Sequence, residues 1–160
     1  MKLQIRKGFG FGLVSGVTTT LGLIVGLDAS TGSTFVVIAG IIAIAISDSL
    51  SDALGVHIVE EATYRRTTTQ IWEATIATFF FKFIFALTFV VPFFFLSLQK
   101  AVIACIVWGL ILVISYSYHL ARKRNTAPYK AIFEHVLIMA VVIAAAYFVG
   151  KATAMILGYY

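Results

Sequence analysis

Six ionisable side chains interrupt otherwise apolar stretches of this sequence: Asp48, Asp52, Glu73, Lys82, Glu134 and His135. A charge at the centre of a membrane helix costs about 2.5–3.5 kcal/mol on insertion scales, so such residues are functional candidates by default. Asp48 and Asp52 are four residues apart, which puts both carboxylates on one helix face. Two like charges side by side in a low dielectric repel each other. The pair makes sense if it binds a cation, exchanges protons or is neutralised by a neighbour. Lys82 falls at nearly the depth of Asp48, so a buried Asp48–Lys82 ion pair tying two helices together is the structural alternative. The two roles can coexist.

Counted at 1.5 Å per residue from the helix ends, the six groups fall in the same half of the membrane and could meet. Glu73 and Glu134, with Glu60 or Glu61, are candidates for a capture site at the mouth of that half, alongside His57 and His135. Carboxylate and imidazole are ordinary ligands for divalent transition metals, and carboxylates favour the harder ones such as Mn²⁺. The plainer reading of Glu60 and Glu61 is a solvated helix end facing Arg65. His135 reads as a satisfied interfacial histidine before it reads as a ligand. No nucleophile constellation, phosphate-binding loop or zinc spacing is present, so no enzyme activity is expected. Cys105 is the single cysteine, which excludes an intrachain disulfide.

The elements that position these groups follow from composition. Of 160 residues, 61% are hydrophobic and 12% charged, and the mean hydropathy is +1.00. A soluble domain carries about a quarter charged residues, so the outer surface of this chain must face lipid. Five stretches reach the roughly 20 residues that a helix needs to cross the bilayer: about 9–27, 33–54, 71–96, 101–118 and 132–157. They make one transmembrane domain over residues 1–160, all-α in class. The basic stretch Met1–Lys7 precedes an apolar segment as in a signal peptide, but no small-residue cleavage site follows, and Phe9–Leu27 reads as a retained helix. A four-span arrangement is weaker, because neither terminal segment has the charged face of an interfacial helix.

Lys and Arg set the orientation. Lys2, Arg6, Lys7, Arg65, Arg66, Arg122, Lys123, Arg124 and Lys130 fall on one side of the five-span arrangement, against Lys100 and Lys151 on the other. The positive-inside rule then puts the N-terminus in the cytoplasm and the C-terminus outside. The net charge of +5 is explained by this topogenic role rather than by a nucleic-acid partner. The first span holds two GxxxG patterns, Gly12/Gly16 and Gly22/Gly26, which allow close helix approach and predict a subunit or repeat interface there. Phe79–Phe81 and Phe93–Phe95 read as lipid-facing or packing aromatics.

Ser15-Gly16-Val17-Thr18-Thr19-Thr20-Leu21-Gly22-Leu23-Ile24-Val25-Gly26 resembles the first helix of the vacuolar iron transporter family of membrane metal/proton exchangers. Ala39-Gly40-Ile41 followed by Ser47-Asp48-Ser49-Leu50-Ser51-Asp52-Ala53-Leu54-Gly55 resembles its second helix, Pro92 its third and Ala146-Tyr147-Phe148-Val149-Gly150 its last. The departures are specific. Where that family has an Asp ligand in the first helix and a Met ligand in the second, this chain has Ser15 and Asp48. Asp52 stands in place of a Glu, and the long Glu-rich insert of some members is absent.

The resemblance implies a short, divergent member: a homodimeric, multi-pass membrane protein, in the cell membrane if prokaryotic. It would export a divalent cation of the Fe²⁺/Mn²⁺ class from the cytosol in exchange for protons. Asp48 and Asp52 would be its ligands in the membrane, helped by Ser15 and Thr19, with Glu73, Glu134 and Glu60 or Glu61 at the mouth. The metal is cargo, and no resident cofactor is expected. The alternatives are a non-transporting structural protein on the same scaffold and a proton-coupled carrier of a non-metal substrate.

Overall fold

The computed structural model describes residues 2–158. They form α1 (Leu3–Thr31), α2 (Thr34–Glu61), α3 (Thr68–Thr88), a short 3₁₀ turn (Val91–Phe94), α4 (Leu98–Lys123) and α5 (Pro128–Leu157), with no strand. Five apolar segments are long enough to cross a membrane, as the sequence predicts.

The boundaries have local causes. Gly32 takes the left-handed conformation (φ +57°) and its N–H closes α1 on the Asp28 carbonyl, a conformation that glycine adopts without steric cost. Ser33 caps α2 by accepting from the Val36 N–H. Thr67 and Gln70 form a reciprocal capping box at the start of α3. The third span is expected over about 71–96, with Pro92 near its end, and α3 stops at Thr88. Pro92 lacks an N–H and its ring clashes with the carbonyl four residues earlier, that of Thr88, so the chain turns into a 3₁₀ segment there. Proline opens α5 at its first position, where its missing N–H is harmless.

The helices run past the predicted spans. α2 continues through Val56, Ile58 and Val59 to Glu61, so His57, Glu60 and Glu61 lie on a helix rather than in a connecting segment.

α1 is the central helix and packs against each of the other four. From Gly12 to Ser30 no residue is exposed. Leu13, Val17, Leu21 and Ile24 form the middle of the core, with Val37 and Ile41 of α2, Phe89, Phe93, Cys105 and Met139 around them. The glycines make this enclosure work. A Cβ on Gly12 would lie 2.8 Å from the backbone nitrogen of Lys82, and one on Gly16 would lie 3.1 Å from the Lys82 carbonyl oxygen. Gly22 and Gly26 face Val142 and Ala146 of α5 in the same way. The expectation that this helix lies at a subunit interface is therefore corrected: its small residues are spent on contacts within the chain. The outside is apolar, with Phe80, Phe94, Phe95, Phe148 and Ile156 among the exposed side chains. Phe93 alone of the second Phe triplet turns inward.

Candidate functional site: an ion cluster between three helices

Asp48 and Asp52 project from one face of α2 toward Ser15 and Thr19, which are likewise one turn apart on α1. Ser15 Oγ donates to Asp52 Oδ2 at 2.7 Å. Thr19 Oγ1 lies 2.9 Å from Asp48 Oδ2 and 2.9 Å from the Ser15 carbonyl oxygen. A hydroxyl has one proton, so Thr19 serves one of these acceptors at a time.

Lys82 enters from α3. Gly16 has no side chain, so the stem of Lys82 lies directly over it: a Cβ there would come 3.2 Å from Lys82 Cγ. The residue is 1% exposed. Its ammonium reaches Asp48 Oδ2 at 2.5 Å, Asp52 Oδ2 and Ser15 Oγ at 3.0 Å. An ammonium has three protons, and here each has its acceptor. The sequence places Lys82 beside Asp48 by depth; the contacts with Asp52 and Ser15 were not legible there.

The carboxylates are less enclosed than the ammonium. The side chains of Asp48 and Asp52 keep 26% and 24% of their accessibility. Every contact they make falls on Oδ2, and Oδ1 of each has no hydrogen-bond partner among the described residues. The site thus holds two carboxylates and one ammonium, with one oxygen of each carboxylate free.

A cavity of about 370 Å³ touches Asp52 at one end and the Lys7–Glu60 pair at the other, with Phe11, Gly55 and Thr78 in its wall. Gly55 faces open space here, since a Cβ there would meet nothing within 4 Å. At its mouth Glu60 is buried between Lys7 Nζ at 2.7 Å and Arg66 Nε at 3.1 Å.

The mouth residues named from sequence do not gather into one capture site. Glu60 is held by Lys7 and Arg66, and Glu73 by Lys2. Glu61 and Glu134 stand exposed. His57 Nδ1 lies 3.0 Å from Thr75 Oγ1, and His135 Nδ1 lies 2.7 Å from Ser117 Oγ on α4. Among the described residues no three of His, Cys, Asp and Glu are grouped as they would be to hold a metal ion. The physical reason is charge balance, because the basic residues at this end satisfy two of the four glutamates. Asp48, Asp52, Ser15 and Thr19, by contrast, meet in one place.

No protein-family model matches this chain, and no curated protein matches it.

Proposed function

We propose that this chain is a multi-pass membrane carrier that moves a divalent cation of the Fe²⁺/Mn²⁺ class out of the cytosol in exchange for protons. The observation that carries the reading is the half-open ion cluster: two carboxylates with free Oδ1 atoms, only one of whose charges is offset by the one buried lysine on their closed side. With Lys82 charged and seated, its ammonium takes the place of a cation, and a dication is repelled. When Lys82 loses a proton or withdraws, both Oδ2 atoms are released. Four carboxylate oxygens and the hydroxyls of Ser15 and Thr19 then form an all-oxygen donor set, which suits hard cations over soft ones. Metal binding displaces a proton and reprotonation displaces the metal, because ligands bind in their deprotonated form. The cavity between Asp52 and Glu60 supplies a route from the basic end, taken as cytoplasmic by the charge rule.

A homodimer belongs to the same proposal, with α2 rather than α1 at the contact. Ala43, Ser47, Ser51 and Gly55 form an exposed stripe of small residues beside the two aspartates. Small residues permit close helix approach, and polar side chains within a membrane face protein or water rather than lipid.

A second reading is favoured by the saturation of Lys82: the cluster clamps α1, α2 and α3 together and nothing passes through it. Asp48→Asn, Lys82→Met and the double variant separate the two. Breaking a buried pair from one side costs about 3–5 kcal/mol, which applies to Lys82→Met, whereas Asp48→Asn still leaves Lys82 paired with Asp52. A carrier should lose Mn²⁺ flux in liposomes in Asp48→Asn even where the chain stays folded. A clamp should lose the most stability in Lys82→Met, which leaves two carboxylates facing each other, regain part of it in the double variant, which leaves only Asp52 unpaired, and pass no Mn²⁺ in the parent.

A further inference from the structure

A second polar cavity, of about 470 Å³, lies between the start of α1 and the end of α4. Arg6, His119, Lys123 and Arg124 line it, with Phe9 and Tyr116 as aromatic walls, and no carboxylate does. The two rings meet edge to face at 5.8 Å. Tyr116 fits because Gly10 has no side chain, its hydroxyl occupying the place where a Cβ would stand.

The charges here are unbalanced in a particular way. Lys2, Arg6 and Lys7 crowd the N-terminus of α1, the positive pole of the helix dipole, where cations are disfavoured. Lys2 is offset by Glu73 and Lys7 by Glu60. Arg6 has no acidic partner among the described residues, nor do Lys123 and Arg124. The C-terminus of α4 accounts for part of the charge at Lys123 and Arg124, since cations suit that pole. It does nothing for Arg6.

We infer that this cavity binds the phosphate headgroup of an anionic phospholipid. The ligand is anionic because three cations face one space without a counter-charge. It is a lipid rather than a free phosphate because the same cavity that holds the cations is also walled by the apolar side chains Phe9 and Leu120 and the ring of Tyr116, which a free phosphate would not use and an acyl chain would. Basic pockets between membrane helices on the cytoplasmic side are a recognised setting for acidic headgroups. This inference does not depend on the transport proposal, since the cavity shares no residue with the Asp48–Asp52–Lys82 cluster.

The test uses the full chain purified in neutral detergent and measures retained lipid by native mass spectrometry after exposure to phosphatidylglycerol or phosphatidylcholine. The parent should retain phosphatidylglycerol in preference. The Arg6→Gln/Lys123→Gln variant should bind it at least about ten-fold more weakly, given roughly 1 kcal/mol per basic residue near an anionic surface. Lys130→Gln, an exposed cation at the same end outside the cavity, should match the parent, and Arg6→Lys should keep much of the binding. A monodisperse peak with unchanged helix content is required of each variant, and Arg124→Gln replaces any double variant that fails it. Equal retention in the parent and the cavity variants would overturn the proposal. So would competition by inorganic phosphate as effective as that by phosphatidylglycerol, which would identify a free-anion site.

Discussion

Ser15 touches both signs of charge in the ion cluster, accepting from Lys82 and donating to Asp52. Ser15→Ala would leave one ammonium proton without an acceptor and Asp52 Oδ2 with Lys82 as its remaining donor. Leaving a buried polar group unsatisfied costs about 1–3 kcal/mol, so thermal unfolding in detergent should move down by that amount, with Ser15→Thr much nearer the parent. A Ser15→Ala chain as stable as the parent would remove the hydroxyl from the network. The spacing of Asp48 and Asp52 was legible from the sequence because helical geometry alone puts i and i+4 on one face. Their partners were legible only in part. Depth counting relates Lys82 to Asp48, but the partners a lysine reaches depend on how three helices pack. Arg6 illustrates the same limit, since a basic residue near a helix start reads as topogenic charge until its neighbours are known.

At the scale of elements, the five spans were legible because apolar length is a strong signal. The ends were less so: helices continue into polar sequence wherever no proline or turn stops them, as α2 does to Glu61. The glycines of α1 announced close packing but not the partner, because GxxxG reports only that a backbone can approach. Gly12 and Gly55 make opposite predictions. A Cβ on Gly12 would run into the α3 backbone at 2.8 Å, so Gly12→Ala should lower stability through separation of α1 from α3, displacing Lys82 from the aspartates. Gly55 faces open space, so Gly55→Ala should leave stability unchanged or raise it by up to about 1 kcal/mol through helix propensity. Thermal unfolding of the two variants side by side measures this, and equal destabilisation would contradict the assigned packing.

On the scale of the whole molecule, alternating helices gather the basic residues at one end, where Lys2, Lys7 and Arg66 pair with the glutamates of α2 and α3. If that end is cytoplasmic, a cysteine placed at Asn125 should label from the inside and one at Gly158 from the outside. Cys105→Ala supplies the background, and labelling of both from one side would exclude five crossings. The most direct test of the carrier is proton-coupled flux. Purified protein in liposomes containing a pH-sensitive dye is given an inward Mn²⁺ gradient, with Asp52→Asn as the comparison. The parent should take up Mn²⁺ while the interior becomes more alkaline as protons leave, and Asp52→Asn should do neither. Mn²⁺ entry no faster than in protein-free liposomes, or entry with no accompanying proton movement, would contradict exchange at the Asp48–Asp52–Lys82 cluster.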